Sequence, residues 1–121
     1  MTDMTMDNFL AVLSSSEPVP GGGGACGYVA AVGMSLGNMV LALTTGKKKY
    51  AEYQEEIEEL IVKATDLTKR LAECMDKDAE SFKPLAAAYG LPKDTEEQIK
   101  EREAIMAKAL VTASEAPLSM M

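Results

Sequence analysis

The chain has 121 residues and a formal charge of −7, with 19 acidic and 12 basic side chains, no histidine and two cysteines. That balance gives no basic surface for nucleic acid. The missing histidine and the wide separation of Cys26 and Cys74 exclude His/Cys zinc clusters, Ser-His-Asp machinery and Cys-His machinery. Acid–base chemistry then falls to Asp, Glu, Lys, Tyr or a thiol.

The length suits one domain, over residues 1–121, with one core. Strand signals are nearly absent, and the chain reads as an all-α helical bundle. The first helix is expected from about Thr5 to Ser15, with Met6, Phe9, Leu10 and Leu13 on one face. It ends at Ser14-Ser15-Ser16-Glu17-Pro18. The stretch Pro18-Val19-Pro20-Gly21-Gly22-Gly23-Gly24 follows. Prolines fix φ there, glycines admit close approach, and bare amides opening a helix can hold an anion.

A second helix is expected from these glycines to near Gly46. Gly21 to Thr45 carries no charge and is long enough to span a bilayer. Its glycines, Ser35, Asn38 and the chain's mean hydropathy of −0.04 favour the alternative, a long apolar helix at the centre of a bundle. Asn38 reads as a helix-to-helix hydrogen bond or a ligand contact. Lys47, Lys48 and Lys49 follow the helix end, where they favour the negative helix terminus or form a patch for an acidic small molecule.

The third helix is expected from about Lys49 past Phe82, on a stripe through Ile57, Leu60, Ala64, Leu67, Leu71, Cys74 and Met75. Pro84 is expected to interrupt or kink it, and Gly90-Leu91-Pro92 to end it. A capping box of Asp94 and Glu97 starts the fourth helix at about Thr95. It runs toward Ser114, before Pro117, with no helix after it.

Among the acidic residues, Asp76 reads as solvated and inert. Asp78 has Cys74, Met75, Ser81 and Phe82 at helical spacing, on the core stripe. A carboxylate there is costly unless paired or at work. It is either an acid–base group or a structural partner of a nearby hydroxyl, backbone group or cation. Arg102, among Ile99, Ile105, Met106 and Ala109, reads as a snorkelling side chain, a partner of a buried carboxylate such as Asp78, or an anion contact. The glycine run is not a P-loop. Tyr28 and Val29 stand where Lys and Ser/Thr belong, and no strand precedes it.

The ordered set Phe9-Leu10-Ala11, Pro18-Val19-Pro20-Gly21-Gly22-Gly23, Met39-Val40, Leu43-Thr44, Gly46-Lys47-Lys48-Lys49-Tyr50, Asp78-Ala79-Glu80-Ser81-Phe82, Ala88-Tyr89-Gly90-Leu91-Pro92-Lys93, Arg102 and Ala116-Pro117-Leu118 resembles the cyclodeaminase/cyclohydrolase family. This is the type of the C-terminal domain of formiminotransferase-cyclodeaminase. The resemblance runs from the first helix to the last residue. It implies an all-helical homo-oligomer, a dimer or larger, acting on one-carbon tetrahydrofolates. Two reactions are implied: hydrolysis of methenyltetrahydrofolate to 10-formyltetrahydrofolate, or closure of formiminotetrahydrofolate with loss of ammonia. Hydrolysis is preferred, because no formiminotransferase domain is attached.

The resulting expectation makes Asp78 the catalytic group, a choice that rests on its place along the core stripe. Pro20, Gly21, Gly22, Gly23, Lys47, Lys48, Ser81 and Arg102 would bind substrate. No metal or redox cofactor is expected, and the tetrahydrofolate derivative is the substrate. Neither nucleic acid nor membrane is an expected partner. The N-terminus lacks the positive region of a signal peptide, which points to the cytoplasm. Gly24 stands where the family often has Ser, which removes one hydroxyl from the loop. The family's domain continues past the position matching Leu118, so a non-catalytic helical scaffold or an inactive short member is the alternative of another class.

Overall fold

The computed structural model describes residues 1–121 and contains four α-helices and no strand. Helix α1 spans Met6–Leu13, α2 Gly22–Thr44, α3 Gln54–Tyr89 and α4 Glu96–Met120, with a 3₁₀ segment at Lys48–Tyr53. The Thr5 hydroxyl caps α1 by accepting from Asn8 N–H at 3.2 Å. Gly46, at φ +78°, turns the chain after α2, a conformation that suits glycine.

Three boundaries differ from the sequence reading. Tyr50 departs from helical geometry (φ −114°, ψ 19°), so α3 starts at Gln54 rather than near Lys49. Pro84 does not interrupt α3, which continues to Tyr89. Pro84 and Glu80 are both exposed, on the side of α3 away from the core, where the helical bond that Pro84 cannot make is lost. Pro117 likewise lies inside α4, which runs to Met120 instead of stopping at Ser114. Tertiary packing holds this last turn: Ala116 is buried and Cys74 Sγ lies 3.9 Å from Ser119 Oγ. The capping box also lies one residue later than expected. Thr95 Oγ1 accepts from Gln98 N–H, and Gln98 Oε1 accepts from Thr95 N–H.

Helix α3, not the apolar α2, is the middle element. It packs against α2 on one side and α4 on the other, while α2 and α4 barely meet. Between α3 and α4 the core gathers Leu85, Ala88 and Ala109 under Phe82, Leu91, Met106 and Ala113. Between α2 and α3, small residues set the spacing. A side-chain carbon on Gly27 would lie 3.3 Å from the Leu71 carbonyl oxygen and 3.1 Å from Met120 Cε. Asn38 Nδ2 donates to Thr65 Oγ1 at 3.3 Å, the helix-to-helix bond that the sequence suggested.

Only the face of α2 that carries Gly24, Gly27 and Ala31 is buried. Val29, Leu36, Val40 and Leu43 are exposed. The helix is long and apolar enough to cross a membrane, with a mean hydropathy of 1.6 in its most apolar window. In this fold it lies along the charged helix α3.

Candidate functional site

The site is built where the glycine loop meets α3. Pro20 is buried in the turn, after a cis Val19–Pro20 peptide, and Gly21 is the N-cap of α2. The first helical bond runs from Ala25 N–H to Gly21 C=O at 3.0 Å. The amides of Gly22, Gly23 and Gly24 ahead of it have no helical partner, and no side chain caps them. This end of α2 therefore carries the positive end of the helix dipole.

Asp78 faces that end. A side-chain carbon on Gly23 would lie 2.7 Å from Asp78 Oδ1, and one on Gly24 would lie 3.5 Å from Asp78 Oδ2. A side chain at Gly23 would displace the carboxylate, whereas one at Gly24 would make ordinary contact. Asp78 is half-buried rather than fully buried as the stripe implied. It joins none of the four ion pairs and accepts no hydrogen bond from the chain. Within this chain Asp78 is therefore tied to no neighbouring hydroxyl, backbone group or cation, the structural alternative that the sequence raised.

A cleft of about 350 Å³ opens at this point. Gly21, Gly22, Gly23 and Asp78 line it with Pro18, Val19, Phe82, Leu85, Leu110, Ala113, Ser114 and Pro117. Its walls are mainly apolar. One carboxylate, one hydroxyl and the free amides of α2 supply its polarity. Such a space can hold a flat organic ligand, with a proton acceptor and an anion-binding helix end on one side.

The other expected binding residues lie elsewhere. Ser81 lines an adjacent polar groove with Asp76, Lys77, Glu80, Glu115 and Ser119. Arg102 lies in a small cleft beside the Gly90 turn with Leu91, Pro92 and Gln98, and pairs with no carboxylate. Its Nε is buried without a partner. Lys47 and Lys48 are exposed at the far end of α2. The 23 residues of α2 span about 33 Å at 1.5 Å per residue, so within one chain these lysines cannot reach the Asp78 cleft.

Two contributors were missed. Ser114 and Pro117 enter the cleft because α4 continues beyond the expected stop. Ser114 lies at helical spacing from Leu110 and Pro117, which would have flagged it had Pro117 been allowed inside the helix. Asp76 is not inert either. It accepts from the Met1 ammonium at 2.7 Å and from Thr2 Oγ1 at 3.3 Å, and so anchors the N-terminus on α3.

The arrangement is an all-α domain in which a glycine-opened helix meets a helical carboxylate. The family model described as Formiminotransferase-cyclodeaminase matches residues 5–121, and the chain belongs to that family. It is 42% identical over 115 residues to a methenyltetrahydrofolate cyclohydrolase of Methylorubrum extorquens, covering 95% of this chain and 55% of that protein. It is 33% identical over 121 residues to a formimidoyltransferase-cyclodeaminase of Dictyostelium discoideum, covering 100% of this chain and 22% of that protein. A mouse (Mus musculus) formimidoyltransferase-cyclodeaminase is 28% identical over 120 residues, which cover 99% of this chain and 22% of that protein. The chain thus spans about half the length of the first of these relatives and about a fifth of the other two.

Proposed function

We propose that this chain carries the catalytic cleft of a one-carbon folate enzyme that hydrolyses 5,10-methenyltetrahydrofolate to 10-formyltetrahydrofolate. The observation that carries the reading is the unpaired Asp78 carboxylate held against the open amides of α2. The 42% identity to a methenyltetrahydrofolate cyclohydrolase supports the choice of reaction.

The chemistry asks for little more. The methenyl carbon bridges N5 and N10 in an amidinium cation and is already electrophilic. Water adds to it as Asp78 takes one of the water's protons, giving a neutral carbinolamine. The C–N5 bond then breaks, N5 takes up a proton, and the hydroxyl gives up its own to become the formyl carbonyl on N10. Cation plus water yields neutral product plus one proton. The α2 amides lie where an oxyanion or a substrate carboxylate would be stabilised. Each step couples bond making or breaking to a proton transfer and changes no oxidation state, so the mechanism invokes neither metal nor redox cofactor.

The cyclodeaminase reaction is the second reading, supported by the relatives of that name. There N10 attacks the carbon of the protonated formimino group, and Asp78 carries the N10 proton to the amino nitrogen, which leaves as ammonia and gives the methenyl cation. A homodimer or larger assembly, with α2 near the interface, belongs to the proposal because the apolar face of α2 is uncovered. In it, Lys47 and Lys48 attract the glutamate tail of the folate. A cytoplasmic setting goes with this reading, and both cysteines are free.

The test is loss of methenyltetrahydrofolate absorbance above the buffer-catalysed rate, run beside ammonia release from formiminotetrahydrofolate. Turnover of the first alone supports the hydrolase and turnover of the second the cyclodeaminase. Turnover of neither leaves the non-catalytic scaffold.

A further inference from the structure

The glycines that open α2 are not equivalent. A side-chain carbon on Gly22 would meet nothing within 4 Å, and one on Gly23 would stand 2.7 Å from Asp78 Oδ1. One on Gly24 would sit 3.4 Å from Met75 Cγ, 3.5 Å from Asp78 Oδ2 and 3.7 Å from the Met75 carbonyl oxygen, all ordinary contacts. Space therefore requires glycine at 23 but not at 24. Conformation does not require it either. Gly24 is the third residue of α2, and Gly46 is the one glycine with a positive φ. Glycine is also a poor helix former, so a bare residue at this position costs stability.

A side chain at 24 would bring a neighbour for the carboxylate. Gly24 is buried, and Met75 beneath it is 1% exposed. The polar atoms nearest to the missing side chain are Asp78 Oδ2 and the Met75 carbonyl oxygen. That carbonyl lies inside α3, whose own hydrogen-bond ladder uses it, which leaves Oδ2 as the acceptor. One bond further out, a hydroxyl oxygen would come within the roughly 2.5–3.0 Å of an O–H···O hydrogen bond to Oδ2. The bond would be charge-assisted, among the stronger kind. A carboxylate held in this way takes up a proton less readily, because the bond favours its charged form.

The other elements around Asp78 also withhold donors. On α4, Ser114 is the hydroxyl that reaches the cleft, and it donates to Val111 C=O at 2.7 Å. On α3, Lys77 and Ser81 line the neighbouring groove, together with Asp76, Glu80 and Glu115 of α4. In the loop, Glu17 is exposed, and Pro18, Val19 and Pro20 carry no side-chain donor. No second titratable group lines the Asp78 cleft. Loop, α3 and α4 thus leave the carboxylate without a side-chain donor, and on the α2 side the bare Gly24 does the same.

We infer that Gly24 is a positioning residue of the cleft: its missing side chain keeps Asp78 Oδ2 free of a partner within the chain, so that both carboxylate oxygens stay available to water and to the ligand. The proton that leaves the water in hydrolysis then goes to a carboxylate that no hydroxyl holds. Helix stability is given up at this position for the reactivity of Asp78. The inference rests on the proposed use of Asp78 as proton acceptor, and two measurements separate them.

A double-mutant cycle reads the contact without any turnover. Gly24→Ala and Gly24→Ser are each made in this chain and in Asp78→Ala, and the melting temperatures of the four proteins are compared. Alanine adds the side-chain carbon, and serine adds the hydroxyl as well. With Asp78 in place, Gly24→Ser is expected to melt a few degrees above Gly24→Ala. In Asp78→Ala the order is expected to reverse, because alanine is the better helix former and the serine hydroxyl has lost its acceptor. The same order in both backgrounds means that a hydroxyl at 24 does not reach Oδ2, and overturns the inference.

Kinetics read what the free oxygen does. Gly24→Ser is expected to hydrolyse methenyltetrahydrofolate with a kcat about tenfold or more below that of Gly24→Ala, and with KM within about threefold of it. Its activity should also fall at a lower pH on the acid side, since a carboxylate held by a hydroxyl protonates later as pH drops. Equal kcat and superimposed pH profiles, in two variants that the cycle distinguishes, would mean that freeing Oδ2 has no consequence. That outcome overturns the inference and leaves the function of the cleft untouched. Wild-type protein that turns over neither methenyl- nor formiminotetrahydrofolate removes the functional reading instead, and the cycle alone then decides whether Gly24 keeps Oδ2 without a partner.

Discussion

Gly23 and Asp78 are matched so closely that any side chain at Gly23 would displace the carboxylate: a side-chain carbon there would stand 2.7 Å from Asp78 Oδ1 and 3.1 Å from Cγ. Contacts under about 3 Å force a shift, and Asp78 has only two side-chain torsions with which to yield. Gly23→Ala is therefore expected to turn the carboxylate out of the cleft while α2 and α3 stay packed through Gly24, Gly27 and Met75. Turnover should fall at least tenfold, with a small change in melting temperature. Unchanged kcat in a well-folded Gly23→Ala protein would show that the carboxylate position is unimportant.

The comparison of Asp78 with Asp76 isolates the chemistry. Asp78→Asn keeps the shape of the cleft and removes the proton acceptor. Folate affinity should persist while turnover falls by about 10²–10⁴-fold, the usual share of a general acid–base group. Asp76→Asn breaks the tie to the Met1 ammonium and should leave turnover within about twofold, because Asp76 lies outside the cleft. Equal losses in the two variants would remove Asp78 from its catalytic role.

The helices were legible in the sequence because their signals are local. Thr5 caps α1, Gly46 ends α2, and the stripe from Ile57 to Met75 sets the face of α3. Gly21–Gly23 and Asp78 were each singled out for local reasons, and their juxtaposition is what the structure adds. The misread stops at Pro84 and Pro117 share one cause. Pro84 and Pro117 look like stops when read alone, yet Leu85, Ala88 and Ala116 around them are buried, and that packing carries the helices through. Ser81 and Arg102 were grouped with Asp78 by sequence proximity and chemistry, but the rotation of α3 turns Ser81 toward the neighbouring groove, and Arg102 lies at the other end of the α3–α4 pair. Which helix is central was also illegible. Apolarity all round marks α2 as a helix that must be covered, without saying by what.

The Met1 ammonium makes stability depend on pH. Its hydrogen bond to Asp76, with a further contribution from Asp3 at 3.3 Å, raises its pKa above the ordinary 8.0. A group with a raised folded pKa stabilises fully below its unfolded value and loses that contribution as pH rises through the folded one. The melting temperature should therefore fall between pH 8 and 10 by more than in an N-terminally acetylated protein. The group is near the surface, so the effect is small and shrinks in high salt. Parallel melting curves for the two proteins across that range would contradict the tie.

Asn38 offers a prediction about what the α2–α3 seam tolerates. Its Nδ2 reaches Thr65 Oγ1, but its Oδ1 is buried with no partner, a condition that costs about 1–3 kcal/mol. Thr65 does not depend on Asn38, since its hydroxyl also donates to Ile61 C=O at 2.8 Å. Asn38→Leu has similar volume and removes both the hydrogen bond, worth about 1 kcal/mol, and the orphaned acceptor. The two changes nearly cancel or favour leucine, so the melting temperature should hold or rise by a few degrees. Asn38→Ala should instead lower it, because it leaves a gap beside Met39 and Thr65. A loss of more than about 2 kcal/mol in Asn38→Leu would mean that Oδ1 is satisfied in the working protein by a group from outside this chain.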